Sequence, residues 1–370
     1  MSGAEDAALV VHGLDLSYFT GKIEAYLRAK GIAYRLREMD TRDFAACARA
    51  TGVRQMPQIE CADGSWLTDT TLIIRHLERT RPAPPLTPRA PHVRFVARLL
   101  EDFGDESLWR PALYYRWAYA DDARLLSGRI ASGMLRDVPL PFAWRRIFIR
   151  ARQRRLYLRE DGVARTTAPA IEQLYRDALA ALEEALAARP FLLGARPCEA
   201  DFGFFGSMFR HFASDPTPSR LMRERAPRTL AWVARLWALG PDDFADAPLL
   251  DDVPAAARAL IALSARTHLP YLDANAAAWS GGLRRVRFTD HGAAFETPVS
   301  PYRAWCLDVL RQEFAELSPE DRARVAALLG DAALARILEG PRQPGPAYRV
   351  PELPIRPGAA RRPTDRTWRA

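Results

Sequence analysis

The sequence predicts an α/β domain over residues 1–80, followed by a larger and mainly helical part. Short apolar runs of strand length alternate with helical periodicity as far as residue 80. Five prolines then fall within residues 81–91, and helical periodicity dominates beyond them. With 370 residues, of which 48% are hydrophobic, the chain can form more than one domain with a sizeable core.

The first elements form a predicted β-α-β unit. Residues 7–14 have the apolar run of a buried strand, and residues 22–30 have helical spacing that Gly31 ends. A second strand is expected over residues 33–37. Because the connections are short, the crossover should be right-handed and the two strands parallel.

The rest of this domain is predicted to be a helix, a hairpin and a second helix. The helix covers residues 41–51, and the hairpin joins residues 58–61 to residues 65–67. Asp63-Gly64 supplies the positive φ that its tight turn requires. The last helix begins near Thr70, so that the complete order is β-α-β-α-β-β-α.

Two short motifs in this domain are suited to one small ligand. Met56-Pro57 enters a strand after a loop, and a cis bond there would leave the Met56 backbone free to pair with an extended peptide. Asp69-Thr70 stands at the start of a helix, where backbone amides attract a carboxylate. The alternative is a hairpin and a capped helix without a ligand, since Asp and Thr are ordinary N-cap residues.

With the element order, these motifs resemble the amino-terminal, thioredoxin-like domain of the glutathione transferase family over about residues 8–80. The resemblance implies that Met56, before the cis-proline Pro57, pairs with the cysteinyl backbone of glutathione. It also implies that Asp69 and Thr70 hold the γ-glutamyl end. The family more often has Val-Pro and Glu-Ser at these places, so both motifs are conservative departures.

The turn before the first helix contains the candidates for activating the glutathione thiol. By resemblance to serine-type members, Ser17 supplies the activating hydroxyl, and Tyr18 is the second candidate because other classes use a tyrosine near this turn. Thr20 can simply cap the helix. The turn contains no cysteine, which favours transfer or isomerisation over thiol-disulfide chemistry. The alternative is a non-catalytic interaction scaffold that has lost its ligand.

Two helical passages strengthen the resemblance in the second part of the chain. Residues 99–117 resemble the first long helix of the family's carboxy-terminal domain, and residues 194–209 resemble its capped central helix. Asp201 is present in that capping motif, but Cys198 replaces the usual Ser or Thr, and a thiol is a weak acceptor. Three aromatic residues are expected to line either an apolar co-substrate pocket or the helical core: Tyr114, Tyr115 and Trp117. His12 and His211 are expected in the core.

The remaining boundaries follow from composition. The predicted segments are a Pro-rich linker (81–92), an all-helical transferase domain (93–254), a mainly helical extension (255–339) and a Pro/Arg-rich tail (340–370). The extension should contain two short strands around Asp290-His291-Gly292, and the tail should be loosely attached. This layout resembles a group of bacterial transferase-like proteins.

Charge and cysteine usage limit the partners and the compartment. The net charge is +8, but the basic residues are mostly interspersed with acids, which favours a solvated surface over specific nucleic-acid binding. The densest basic run, residues 138–159, is interpreted as a helix with an apolar inner face and an arginine-rich outer face, with an anionic partner as the alternative.

Four scattered cysteines without metal-ligand spacing, and no leader or membrane-spanning run, predict a cytoplasmic protein with no metal. Glutathione is the expected co-substrate and a small apolar electrophile the second one. By resemblance, the protein is expected to be a homodimer.

Overall fold

The computed structural model describes residues 8–338 and 348–357 of the chain. A four-stranded sheet with the order β2-β1-β3-β4 forms the amino-terminal domain. Its strands are β1 (Leu9–Gly13), β2 (Tyr34–Glu38), β3 (Gln58–Glu60) and β4 (Trp66–Thr68). Strand β1 runs parallel to β2 and antiparallel to β3, and β4 is antiparallel to β3. The predicted thioredoxin-like fold is confirmed.

Three helices complete this domain: α1 (Tyr18–Ala29), α2 (Thr41–Thr51) and α3 (Thr70–Thr80). Helix α1 begins four residues earlier than its apolar spacing predicts. The side chain of Ser17 caps it by accepting a hydrogen bond from the backbone amide of Thr20 at 3.4 Å. The cap therefore sets the start of α1 directly after the β1 turn.

The second part of the chain is helical as predicted. Its helices are α4 (Pro91–Asp102), α5 (Trp109–Ala118), α6 (Ala120–Ser132), α7 (Phe142–Gln153), α8 (Ala168–Ala185), α9 (Glu199–Ser207), α10 (Pro216–Arg225) and α11 (Pro227–Ala238). Turns of π-helix follow α4, α7 and α9, at Phe103–Ser107, Arg154–Arg159 and Met208–Ala213. The sequence patterns did not predict α6 or α10.

A close helix crossing lies where the long helix expected over residues 99–117 is interrupted by a π turn. A Cβ atom on Gly104 would lie 2.7 Å from the carbonyl carbon of Gly203, so that the two glycines let the π turn touch α9. Every residue of α9 is buried. Its predicted capping box is present, with the carboxylate of Asp201 accepting from the backbone amide of Cys198 at 3.0 Å.

The extension adds five helices and a hairpin. Its elements are α12 (Arg258–Leu263), α13 (Leu269–Ser280), β5 (Arg285–Asp290), β6 (Ala293–Pro298), α14 (Pro301–Glu316), α15 (Pro319–Leu329) and α16 (Asp331–Leu338). The predicted strand pair around Asp290-His291-Gly292 is confirmed. Gly330, at φ 77°, separates α15 from α16. Helices α14 and α15 pack on α4, and one apolar core joins the extension to both domains.

The expectation of a loosely attached tail is wrong for residues 348–357. The amide and carbonyl of Ile355 exchange hydrogen bonds of 2.8 Å with Trp66 at the outer edge of β4, and Ile355 is buried. An unpaired strand edge offers donors and acceptors that an extended segment can use. The other residues of the tail lie outside the described ranges.

The interpretation of the basic run is also wrong in one respect. Helix α7 exposes most of its large apolar side chains, and its only buried residue is Ile149. Helix α7 packs against α6 on one side. The core does not cover the other sides of the helix.

A buried ion cluster joins the two domains. The ammonium group of Lys22, on α1, lies 2.6 Å from Oε1 of Glu101 on α4 and is also bonded to Asp105 in the π turn. It contacts the hydroxyl of Thr71 on α3 at 3.3 Å. Burial by itself would lower the pKa of Lys22, but the two carboxylates raise it, so that the ammonium stays charged.

We expect Lys22→Met to destabilise the protein by roughly 3 to 5 kcal/mol, because it leaves two buried carboxylates without their counter-charge. Urea unfolding followed by circular dichroism measures the change. The matched control is Arg129→Met, whose partner Asp15 and own side chain are both largely exposed, and which should cost about 0 to 1 kcal/mol. Equal effects of the two substitutions would contradict the role given to Lys22.

Candidate functional site

The helix start predicted to hold a ligand is formed by Asp69. Its Oδ1 accepts hydrogen bonds from the backbone amides of Thr71 at 3.1 Å and Leu72 at 3.3 Å, which caps α3. Asp69 has a φ of 68°, which is uncommon for a residue with a side chain. Burial raises the pKa of its carboxyl to about 6. The side chain of Thr70, the first residue of α3, is buried beside it.

The predicted peptide-binding loop lies next to this helix start. The Met56-Pro57 bond is cis. The side-chain amide of Gln58 donates to the backbone carbonyls of Val53 at 2.8 Å and Gln55 at 3.1 Å, which folds the loop. The side chain of Gln55 in turn donates to the hydroxyl of Thr68, the residue before Asp69, at 3.0 Å. The structure therefore brings the two motifs together at one end of the sheet.

Ser17 lies in the turn between β1 and α1, at the amino terminus of the helix. Its hydroxyl oxygen accepts from Thr20, a bond that does not use the hydroxyl proton. Its backbone amide donates to the carbonyl of Leu14 at 3.0 Å, and Leu14 packs in the apolar cluster that also contacts Met56. Ser17 is partly exposed, and because β1 is antiparallel to β3 its turn lies at the same end of the sheet as the Met56 loop.

Tyr18 points away from this region. Its side chain is buried, and its hydroxyl donates to the backbone carbonyl of Gly104. Burial raises the pKa of Tyr18 well above the ordinary value of a tyrosine. A phenol that already donates inside the core is not positioned to stabilise a ligand thiolate.

An apolar wall stands beside the Ser17 turn. The rings of Phe19 and Trp109 stack with centroids 6.0 Å apart, and Tyr157 packs edge-on against Trp109 at 5.6 Å. Leu16 is buried in a cluster with Leu113 and Trp117. Sequence reasoning missed Phe19, Trp109 and Tyr157, which come from three separate elements.

Of the three predicted pocket aromatics, only Trp117 adjoins this wall. Tyr114 donates to the carboxylate of Glu172 at 2.9 Å, and Tyr115 packs on Tyr175, so that both face helix α8. Their helical-core interpretation therefore agrees better with the structure than the pocket interpretation.

The buried guanidinium of Arg116 fixes the backbone before Ser17. It donates to the carbonyl of Leu16 at 2.9 Å and to the carboxylate of Asp215 at 2.7 Å. A guanidinium that donates from all three of its nitrogens holds a loop more rigidly than a single hydrogen bond does. Its spacing within α5 carried no signal of this contact.

The extension and the tail lie over the Asp69 end of the site. The rings of Tyr302, on α14, and Tyr348 are 5.1 Å apart. Burial, and after it the charge of Asp69, raises the pKa of both tyrosines. Leu353 packs against the cluster that contacts Met56, and Ile355 pairs with β4. The segment therefore runs across both predicted anchors.

One cluster in the described part of the chain has metal-ligand chemistry. Ligand atoms of His12, Asp43 and Cys47 lie within 4.8 Å of one another. Both ring nitrogens of His12 already face carboxylates, with Asp43 at 2.8 Å and Glu60 at 3.3 Å. Burial raises the pKa of the Cys47 thiol to about 12, which opposes the thiolate that a metal needs. The residues present therefore fit an ion-paired core histidine better than a metal site.

Comparison with known proteins agrees with the architecture of the amino-terminal domain. Residues 11–85 match the family model of the glutathione S-transferase N-terminal domain. Glutathione S-transferase U7 of Arabidopsis thaliana is 26% identical over 113 residues, which are 30% of this chain and 49% of that protein. The chain thus spans about half the length of this curated relative.

Solved structures with a similar fold include a glutathione S-transferase of Methylobacterium radiotolerans in complex with glutathione sulfonate. It is 21% identical, with a TM-score of 0.39, over 67% of this chain and 98% of that one. The beta-etherase LigF of Sphingobium sp. strain SYK-6 is 19% identical, with a TM-score of 0.45, over 65% of this chain and 100% of that one. The matched segment, residues 11–85, and the β-α-β-α-β-β-α order show that the amino-terminal part of the chain is similar to the glutathione S-transferase N-terminal domain.

Proposed function

We propose that this protein binds glutathione and uses its thiolate to conjugate or isomerise a small apolar electrophile. The observation that carries the proposal is the meeting of three features at one end of the sheet: the Met56-Pro57 loop, the Asp69-Thr70 helix start and the Ser17 turn. Each is a weak indication alone, but together they would suit the cysteinyl backbone, the γ-glutamyl end and the thiol of glutathione.

The cysteinyl and γ-glutamyl units of glutathione would be held by different chemistry. The backbone of Met56 would pair with the cysteinyl unit, as a strand edge pairs with an extended peptide. The carboxylate of Asp69 would receive the γ-glutamyl amino group, and the hydroxyl of Thr70 with the first amides of α3 would receive its carboxylate. Asp69 is ionised at neutral pH, because its pKa of about 6 lies below 7.

Ser17 would supply the chemical step. A free thiol has a pKa near 8.5, and lowering it by about 2 units requires about 2.7 kcal/mol of preferential thiolate stabilisation. The Ser17 hydroxyl can donate to the sulfur, and the amino terminus of α1 adds a partial positive charge. The thiol proton leaves to solvent, and the sulfur then attacks the electrophile held against Phe19, Trp109 and Tyr157.

A second candidate function is a non-catalytic interaction scaffold. The observation that favours it is the coverage of the Asp69 end by Tyr302 and by residues 348–357. In this alternative the tail takes the place of the peptide-like ligand. The two functions differ in whether glutathione displaces the tail.

The oligomeric state and the compartment belong to the same proposal. Cys47, Cys61, Cys198 and Cys306 are unpaired, which suits a reducing cytoplasm. A homodimer would need faces other than the β4 edge, which Ile355 occupies, and the side of α4 that carries α14 and α15. Light scattering at micromolar concentration distinguishes the dimer from a monomer.

Glutathione affinity should fall about tenfold between about pH 7.5 and pH 5. The raised pKa of Asp69 means that its carboxylate gains a proton as the pH drops through about 6, and a neutral acid cannot pair with the ligand ammonium. The amino group and the carboxylates of glutathione keep their charges across this window. Isothermal calorimetry measures the affinity.

Asp69→Asn tests this account, because asparagine still caps a helix but cannot ionise. It should weaken binding and remove the pH dependence. The matched control is Asp40→Asn, which alters the equivalent cap of α2, where Asp40 accepts from the amide of Asp43 at 2.9 Å. A pH dependence that survives in the Asp69 variant would show that another group is titrating.

Ser17→Ala should lower turnover of a model electrophile such as a chlorodinitrobenzene and raise the apparent pKa of bound glutathione, with little change in glutathione affinity. Losing the cap should cost about 1 kcal/mol of stability. Ser318→Ala, which removes the cap of α15, is the control for that loss and should leave turnover unchanged. Steady-state rates against pH report both effects.

Tyr18→Phe should have little effect on the same rates, because its hydroxyl donates to Gly104. A loss of turnover in this variant instead of the Ser17 variant would transfer the role to Tyr18. Unchanged turnover in the double variant would leave only the backbone amides of the turn to stabilise the thiolate.

Weakening the tail contact should raise glutathione affinity severalfold. Ile355→Asp places a charge in the apolar cluster with Leu14 and Trp66, which disfavours the docked tail. Arg356→Ala is the control, since this neighbouring side chain is 74% exposed. Calorimetry that finds equal or weaker glutathione binding by the Ile355 variant would contradict competition between tail and ligand.

A further inference from the structure

Helix α7 exposes a group of large apolar side chains. Trp144 is 63% exposed, Ile147 60% and Phe148 55%, and their spacing places them on one side of the helix. Leu140 and Phe142, at its amino-terminal end, are 49% and 44% exposed. Single exposed apolar residues are ordinary on protein surfaces, but five within nine positions form a patch that indicates a binding surface.

The same segment is strongly basic. Residues 142–159 contain seven arginines and no acidic residue: Arg145, Arg146, Arg150, Arg152, Arg154, Arg155 and Arg159. Across residues 8–338 and 348–357, none of these seven forms an ion pair with a carboxylate, whereas Arg285 and Arg287 of β5 both pair with Glu296. Arg145 and Arg146 donate to backbone carbonyls, and the exposed Arg154 and Arg155 are available to an anionic partner.

We propose that α7 and the π turn after it form a docking surface for an anionic phospholipid bilayer. The helix would lie in the plane of the interface, with Trp144, Ile147 and Phe148 between the headgroups and the acyl chains. Arg154 and Arg155 would contact lipid phosphates. An interfacial helix requires both features, an apolar side rich in Trp, Phe and Leu and a flank rich in Lys or Arg.

Two other partners fit the surface less well. A second copy of this chain would bring two segments of seven positive charges together without an acidic group to offset them. A nucleic acid would use the arginines, but Ile147 and Leu140 would gain nothing from its phosphates. The patch matches a partner that offers phosphate and hydrocarbon together.

None of the described helices has the length and apolar character to cross a bilayer. The proposed contact is peripheral and uses α7 and the π turn that follows it.

On the basis of the proposed function, the position of α7 indicates a role for the membrane contact in substrate entry. Tyr157, in the π turn that continues α7, packs on Trp109 of the apolar wall beside Ser17. A lipophilic electrophile dissolved in the bilayer would therefore enter close to the proposed thiolate. The docking itself does not require this activity, and it can be tested without glutathione.

Co-sedimentation with vesicles tests the docking. The full chain should bind vesicles of phosphatidylcholine with about 30 mol% phosphatidylserine at physiological salt, and should bind pure phosphatidylcholine at least about tenfold less well. The double variant Ile147→Ser with Phe148→Ser, and the double variant Arg154→Gln with Arg155→Gln, should each weaken binding about tenfold or more. Both should keep the thermal midpoint of the parent, since these side chains are exposed.

Matched controls separate the patch from general surface effects. Leu283→Ser removes an apolar side chain that is also 60% exposed, and Arg287→Gln removes a guanidinium that is 85% exposed. Both should bind vesicles like the parent. Quenching of tryptophan fluorescence by brominated lipid should decrease in Trp144→Phe, which reports insertion of that ring.

Three results would overturn the proposal. The first is no binding of the parent to phosphatidylserine vesicles, and the second is equal binding by the patch variants. The third is a patch that serves another partner: a dimer that Ile147→Ser with Phe148→Ser converts to a monomer, or submicromolar binding of duplex RNA, in either case without vesicle binding.

Discussion

The ammonium group of Lys22 is the contact on which the arrangement of the site depends. It lies among α1, α3 and the α4 region, bonded to Glu101 and Asp105 and touching Thr71. Ser17 caps α1 and Asp69 caps α3, so that the cluster sets the positions of the two helix ends that face the proposed ligand. The only two lysines of the chain, Lys22 and Lys30, both form buried ion pairs. A compact ammonium fits where the broader guanidinium fork would not.

The extension changes what a glutathione transferase fold presents to solvent. Helices α14 and α15 cover one side of α4, and the backbone of Ile355 extends the sheet beyond β4. The tail then passes both anchors of the proposed ligand, with Tyr348 near Asp69 and Leu353 near Met56. A tripeptide and a cis-acting tail use the same kinds of contact, namely strand-edge pairing and apolar burial. The balance between them would decide whether the fold acts as an enzyme or as a scaffold.

The helical part of the chain has two apolar surfaces, one at each end of the segment formed by α7 and its π turn. Phe19, Trp109 and Tyr157 form a wall next to Ser17, and the exposed side chains of α7 begin at the other end of the same helical segment. A partly buried wall and an exposed patch, joined through Tyr157 on the α7 segment, suit a substrate that partitions into lipid. The arginines between them are positioned to bind phosphate without entering the core.

The sequence by itself determined the features that depend on neighbours along the chain. The strands of the amino-terminal sheet, the Asp63-Gly64 turn, the Met56-Pro57 loop and the cap at Asp69 are local, and each is found where its pattern predicts it, whereas the start of α1 differs by four residues. Tertiary structure decided what depends on distant partners. Tyr18 is buried in the core, where its hydroxyl donates to the carbonyl of Gly104. Residues 348–357 dock because β4 has an open edge, and α7 stays exposed because the core does not reach it. Local pattern records which face of a helix is apolar, but only packing determines whether another element covers that face.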